Sequence, residues 1–155
     1  MRFSLYIFMI TLFFSCKNET SNFVDLDLMS SGLPIKIKAP ADAVVTANDM
    51  GFMKDITVQK GDSYSLQITG SNAHTIDQKA ILQEHKKTVE QGPFFSKIIH
   101  ETEDGFIFEK NIDETINYDF RVVKIQGDKE YIFQTALIGK FSKEDTQAMF
   151  DSVTK

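Results

Sequence analysis

The sequence predicts an α+β domain in which an antiparallel β-sheet is covered by two helices. Three observations lead to this class. Short stretches of alternating apolar and polar residues are separated by turn residues, which is typical of strands in hairpins. Two other stretches, one central and one C-terminal, are rich in helix-forming residues and carry helix start or stop signals. Because short hairpins make neighbouring strands antiparallel, the two helices are available to cover the sheet.

The first half of the domain supplies four predicted strands. Ile35–Lys38 alternates strictly and is closed by a proline, while Val44–Thr46 and Ile56–Val58 are short β-rich runs. Lys60–Asp62 is a predicted turn, and alternation resumes after it at Tyr64, Leu66 and Ile68. The stretches on either side of this turn are predicted to pair as a hairpin.

A helix is predicted from about His74 to Glu90, where the residues have high helix propensity. Thr75 and Gln78 have the spacing of a capping box, which would satisfy the first free N–H groups of this helix. Gln91–Pro93 contains Gly and Pro and is predicted to end it.

An antiparallel meander follows the helix. Phe95–Glu101 reads as a strand, Asp104-Gly105 as a two-residue hairpin turn, and Phe106–Phe108 as the returning strand. Tyr118–Val122 alternates, and after a turn at residues 126–129 Tyr131–Ile138 is predicted to form the last long strand. Because both faces of that last strand are mostly apolar, we expect it to be central and covered on both sides.

The C-terminal helix has the clearest signals of the two. Ser142 is a predicted N-cap, and Glu144 and Asp145 lie favourably in the positive first turn. An apolar stripe at positions i, i+3, i+4 and i+7 follows, formed by Thr146, Met149, Phe150 and Val153.

The N-terminus is predicted to be an export signal. Arg2 precedes an almost unbroken apolar run from Phe3 to Phe14. This run is shorter than the ~20 residues that a membrane-spanning helix needs, and it has the length of a signal-peptide core. Residues 1–15 are therefore set apart from the fold.

Ser15 directly before Cys16, the single cysteine of the chain, resembles the lipobox of bacterial lipoproteins. The resemblance implies cleavage before Cys16, a diacylglyceryl group on its sulfur and acylation of the new amine. Phe13 and Phe14 depart from the family pattern, which usually has Leu and a small residue there. The alternative is an incidental cysteine behind an uncleaved start.

An acylated Cys16 would tie the protein to a membrane, since two or three acyl chains give a durable anchor. Residues 16–32 are assigned to the anchor and a polar tether, and residues 33–155 to a single α+β domain. The expected location is the bacterial cell envelope, at the outer membrane, on either its periplasmic or its surface face. With the sulfur alkylated, the domain must be stable without a disulfide.

The order of elements over about residues 33–154 is similar to the Mog1/PsbP-like fold, an α/β/α sandwich that also occurs in bacterial lipoproteins. The resemblance rests on layout and on the hydrophobic pattern of the meander. Characterised members of that family are mostly accessory or binding proteins, which implies a non-enzymatic role. No functional residue of the family can be matched to a position in this chain.

No motif for catalysis, a metal or a cofactor is evident. His74, His85 and His100 lack helical metal-pair spacing, and we expect His85 on an exposed helix face and His100 near a strand end. The acids of the predicted hairpin tip and the next loop lack the ordered spacing of a calcium site and are expected to be solvated: Glu101, Glu103, Asp104, Asp113 and Glu114. No serine lies in a nucleophile-elbow motif, and no glycine-rich phosphate loop is present.

Composition limits the choice of partner. Removal of residues 1–15 takes away Arg2 and changes the formal charge from −5 to −6. This acidity argues against nucleic acid as a partner and against electrostatic docking on anionic lipid. Surplus strand aromatics, with Phe94-Phe95 the most exposed pair expected, could also line a pocket.

Three hypotheses of function remain open. The leading one is a lipid-anchored, non-enzymatic envelope protein whose domain binds another envelope protein. The second is a carrier or sensor of a small apolar ligand held between sheet and helix. The third is a hydrolase with an unrecognised site.

Overall fold

The computed structural model describes residues 22–155. Within this range the chain forms two α-helices, α1 (Gln78–Glu90) and α2 (Lys143–Thr154), and a 3₁₀ turn at Met29–Ser31. It also forms nine strands: β1 (Phe23–Asp27), β2 (Lys36–Pro40), β3 (Val44–Asp49), β4 (Met53–Lys60), β5 (Tyr64–Asn72), β6 (Phe95–Glu101), β7 (Gly105–Ile112), β8 (Thr115–Gln126) and β9 (Lys129–Thr135). The predicted α+β class, a mainly antiparallel sheet with two helices, is confirmed. Neither α-helix of the described range is long and apolar enough to cross a membrane.

Seven strands form one antiparallel sheet in the order β3-β4-β5-β9-β8-β7-β6, and β1 and β2 pair separately as a two-stranded ribbon. The predicted β4–β5 hairpin is present, with Lys60 opposite Tyr64. The last strand, β9, lies at the centre as predicted, between β5 and β8. Its Tyr131 and Phe133 are buried, whereas Ile132 and Gln134 on the other face are half-buried.

The larger core lies between the sheet and α2. Met149, Phe150 and Val153 of α2 are buried there, and the Phe150 ring meets Phe120 edge-on with centroids 5.9 Å apart. The β1–β2 ribbon closes the same side with buried residues such as Ile37. The predicted apolar stripe of α2 is confirmed, because all four of its members are buried.

A smaller core lies on the opposite face, under α1. Ile81 and Leu82 of α1 pack against Phe106 and Phe108 of β7 and Val123 of β8. The two helices therefore cover opposite faces of the sheet, since Ile107, between the two phenylalanines, belongs to the α2 side. Because α1 packs mainly on β8 and β6, the α1-side face of β4, β5 and β9 carries polar side chains instead, including Asp55, Gln67 and Gln134.

Two predicted features of α1 and its surroundings are corrected. The helix begins at Gln78, not His74, and its N-cap is Asp77, whose carboxylate accepts a hydrogen bond of 3.0 Å from the Ala80 N–H. Thr75 instead accepts a bond from the Asp77 N–H, so the predicted capping box does not form. Asp77 caps the helix well because its side chain is short and its carboxylate is negatively charged.

Strand bounds are corrected at two places. β9 ends at Thr135, and Leu137 and Ile138 lie in the following loop because the chain leaves the sheet after Ala136. β1 lies inside the range assigned to the tether, where Phe23–Asp27 pairs with β2. Phe23 and Leu26 of β1 pack against the larger core, so the folded part starts earlier than residue 33.

The turns and loops of the domain lie at two opposite ends of the sheet. At one end, which we call the tether end, Phe23 meets Tyr64 edge-on with ring centroids 5.6 Å apart, and the turns 61–63 and 113–114 and the loop 136–142 lie here. At the other end, the distal end, lie the β3–β4 turn at residues 50–52 and the β8–β9 turn at 127–128.

Candidate binding cleft

A cleft of about 350 Å³ opens at the distal end. Four segments of the chain form it: the loop after the 3₁₀ turn, the β3–β4 turn, the end of β5 and the start of β9. Its lining residues are Gly32, Leu33, Pro34, Gly51, Phe52, Met53, Lys54, Gly70, Ser71, Asn72, Lys129 and Tyr131. The cleft is thus a product of tertiary structure and has no local sequence signature.

The floor of the cleft depends on Gly70. A Cβ atom at this position would lie 2.7 Å from Leu33 Cδ2, which is closer than carbon atoms tolerate, and 3.3 Å from Tyr131 Cε1, which is a tight contact. Glycine therefore allows the loop that carries Leu33 to lie directly on β5 beside the Tyr131 ring. Leu33 and Tyr131 are buried, so the floor is apolar and closely packed.

The rim of the cleft is the β3–β4 turn, which presents Phe52 with 77% of its surface exposed. The Asp49 carboxylate accepts a 2.8 Å hydrogen bond from the Gly51 N–H, and the Lys54 ammonium lies 3.5 Å from the same carboxylate. The hydrogen bond from Gly51 lowers the pKa of Asp49. Gly51 has φ +82°, a left-handed conformation that glycine adopts without strain. The turn holds its aromatic side chain in the open.

Two ammonium groups line the same cleft. Lys54 pairs with Asp49, whereas the Lys129 ammonium donates a hydrogen bond to the Asn72 side-chain oxygen and, among residues 22–155, makes no salt bridge. An exposed aromatic ring beside a lysine that lacks a carboxylate partner suits a ligand with an apolar group next to an acidic one.

A second polar cluster joins α1 to the sheet. Glu130 of β9 is buried, and its carboxylate oxygens lie 3.9 Å from His74 Nδ1 and 3.8 Å from His85 Nε2. His74 Nε2 also lies 3.6 Å from a Glu84 oxygen. The cluster could not be predicted from the sequence, because Glu130 lies far along the chain from His74 and His85. Contrary to the prediction, His85 is not on an exposed face: its side chain is 28% exposed.

The environment of His85 disfavours its charged form. Burial lowers the pKa of His85, and the charge of Arg121 lowers it further, while Glu130 acts in the opposite direction. Within the described residues no group of three or more His, Cys, Asp or Glu side chains is placed to hold a metal ion. The cluster connects α1 and the segment before it to β9.

The remaining predicted residues are spread over the molecule. His100 is exposed at the end of β6, with its ring edge-on to Phe150 at 5.6 Å. Phe94 is 49% exposed, while Phe95 packs on Phe108. Two of the five acids have polar partners: Glu101 forms a 2.6 Å salt bridge with Lys86, and Asp104 accepts a hydrogen bond from Gln78. Glu103, Asp113 and Glu114 are exposed, and Cys16 lies outside the described residues.

Comparison of the chain with protein-family models, with curated proteins and with solved structures finds no match. The geometry of the distal end therefore carries the functional argument. It combines an apolar floor, an exposed aromatic rim and two lysines, which can bind a partner.

Proposed function

We propose that the protein is a lipid-anchored, non-enzymatic protein of the bacterial envelope, held at the outer membrane through Cys16, whose domain binds a second envelope protein at the distal cleft. The lipobox-like sequence at Cys16 supports the anchor. The two helices on opposite faces of an antiparallel sheet agree with the Mog1/PsbP-like layout, whose characterised members are mostly accessory or binding proteins.

The observation that carries the proposal is Phe52, exposed on the rim of a cleft at the end of the sheet away from the tether. A large aromatic side chain costs solvation free energy when exposed, and protein interfaces are enriched in such anchors. The position matters as well, because a partner can reach the distal end without meeting the membrane to which the tether leads.

The chemistry of the cleft indicates what the partner contributes. Leu33 and Tyr131 form an apolar floor, and Lys129 stands beside it without a carboxylate partner in the described range. We therefore expect the partner to insert an apolar side chain next to Phe52 and to place a carboxylate near Lys129.

A second candidate is a small apolar ligand with an acidic group. The volume of the cleft, about 350 Å³, is at the lower end of the range typical of small-molecule sites. Such a ligand would use the same floor and the same lysine. The two candidates differ in what remains attached to the purified protein.

Site-specific photo-crosslinking in intact cells tests the proposal. A benzoylphenylalanine at Phe52 in the full chain should give one discrete protein adduct, because Phe52 would contact the partner directly. The matched control places the same group at Ile76, which is 81% exposed at the distal end but does not line the cleft. We expect no adduct from Ile76.

Two further samples separate the alternatives. Cys16→Ala, which removes the acylation site, should reduce the Phe52 adduct because the partner and the domain no longer share a membrane. The absence of an adduct at Phe52, together with a small molecule in an organic extract of the purified protein, would support the ligand candidate. Equal adducts from Phe52 and Ile76 would contradict a specific site at the cleft.

A further inference from the structure

The tether end exposes large apolar side chains in a fixed loop. Leu137 is 84% exposed and Ile138 is 93% exposed, and Ile116 at the adjacent start of β8 is 56% exposed. Two adjacent, almost fully exposed aliphatic side chains are costly in water, and contiguous exposed apolar surface is typical of sites that bind proteins or membranes.

The loop that carries Leu137 and Ile138 is held on both sides. The Ala136 N–H donates a 2.8 Å bond to the Ser65 carbonyl of β5, and the Asn117 amide donates a 3.3 Å bond to the Gly139 carbonyl. The Asn117 side-chain oxygen also accepts a 2.7 Å bond from the Phe141 N–H. Since these bonds fix both ends of the loop, the two aliphatic side chains are presented outward by the fold itself.

The tether reaches the domain at the same place. Phe23, at the start of β1, packs on Tyr64, and the next residue, Ser65, is the one that binds Ala136. Only residues 17–21 separate Cys16 from Asn22. A fully extended chain covers about 3.5 Å per residue, so Asn22 can lie no more than roughly 20 Å from an acylated Cys16.

We infer that the loop 136–139, with Leu137 and Ile138 at its tip, contacts the lipid bilayer that holds Cys16. This inference rests on the anchor in the proposed function. The short tether keeps this end close to the bilayer, where a soluble partner has little room. Asp113 and Glu114 in the neighbouring β7–β8 turn are exposed acids, so the contact is shallow, at the boundary between headgroups and acyl chains.

Lipid quenching tests this contact on the full, acylated chain. Once Cys16 is acylated, a cysteine introduced at Ile138 is the only free thiol and can carry a polarity-sensitive fluorophore. The protein is reconstituted into phosphatidylethanolamine–phosphatidylglycerol vesicles that contain lipid with a quencher near the headgroup. The matched control is Ile76→Cys, an exposed isoleucine of the distal end.

We expect several-fold stronger quenching at Ile138→Cys than at Ile76→Cys. Equal and weak quenching at both positions, with Cys16 acylated, would overturn the inference and leave the anchor intact. A Cys16 thiol that reacts with the fluorophore would overturn the anchor and the inference together. A third outcome is that the label at Ile138 is shielded by a crosslinked protein in native membranes and is not quenched by lipid. That result would assign this end to a protein partner instead.

Discussion

His85 combines a half-buried ring with charges of opposite sign. Burial lowers the pKa of this ring most, the charge of Arg121 lowers it further, and Glu130 raises it. The folded protein therefore holds this imidazole in its neutral form over a wider pH range than the unfolded chain does. His85 therefore makes the stability of the protein depend on pH.

His85→Gln tests this link. The unfolded chain takes up a proton at His85 near pH 6.5 and the folded protein does so only at lower pH, so the free energy of unfolding should fall as the pH drops from 7.5 to 5.5. In His85→Gln this part of the fall should be absent. Urea unfolding at both pH values measures it.

Glu130→Gln provides the complementary variant. Glu130 raises the pKa of His85, so its removal should lower that pKa further and steepen the loss of stability below pH 6.5. An unchanged pH dependence in His85→Gln would show that other groups cause it.

The roles of single residues were the hardest feature to predict from the sequence. Gly105 was predicted to form the tip of a hairpin turn, but the tip is Glu103–Asp104, and Thr102 and Gly105 close it. Glycine is needed at 105 because a Cβ there would lie 2.3 Å from the Arg121 carbonyl oxygen of β8. A tight turn and a close approach of another strand can both require glycine. The sequence alone does not distinguish the two cases, because the position of the neighbouring strand decides between them.

At the scale of elements, the β7–β8 hairpin has an unusual turn. Asp113 and Glu114 both have positive φ, 49° and 63°, and they form the two-residue connection between Ile112 and Thr115. Two successive residues with positive φ are characteristic of a turn that normally contains Asn-Gly or Asp-Gly. The sequence placed both acids in a loop but could not indicate this conformation, because no glycine is present.

Glu114→Gly should stabilise the protein by roughly 0.5–1 kcal/mol, because relief of the left-handed strain outweighs the greater freedom of glycine in the unfolded chain. Chemical unfolding at neutral pH measures this gain. The matched control is Glu103→Gly in the β6–β7 turn, since Glu103 does not have positive φ. It should give a small loss, and a gain of similar size in both variants would contradict the strain argument.

The two helices show what local sequence can predict. At α2 the Ser142 cap and the buried stripe were both predicted, and Asp145 completes a capping box there. At α1 the stop at residues 91–93 was predicted, but Asp77 was missed as the cap because Thr75 offered a competing local signal. The apolar stripe identified α2, which has five buried residues, whereas α1 has only Ile81 and Leu82 buried.

At the scale of the whole molecule, the central position of β9 organises the sheet. β9 pairs with β5 on one side and β8 on the other, whereas β3 at one edge pairs only with β4. The sequence predicted a central last strand from its apolar faces. It could not predict the distal cleft, because that site forms only when the ends of β5 and β9 meet the loop of Leu33.

Hydrogen exchange should reflect this organisation. Amides of β9 should exchange only through global unfolding, while those of β3, most of whose residues are exposed, should exchange through local opening. Exchange measured by mass spectrometry on peptides that cover 44–49 and 129–135 tests the difference. Equal protection of the two segments would contradict it.

The order of the strands in the sheet has a consequence for folding during synthesis. A chain that has emerged only as far as Gln126 contains two separate three-stranded meanders, β3–β5 and β6–β8, which lack their common neighbour. Residues 129–135 join them, and these residues follow both meanders along the chain. The sheet therefore closes only after residues 129–135 have been synthesised, and the pairing of β9 with the distant β5 should be a late step of folding.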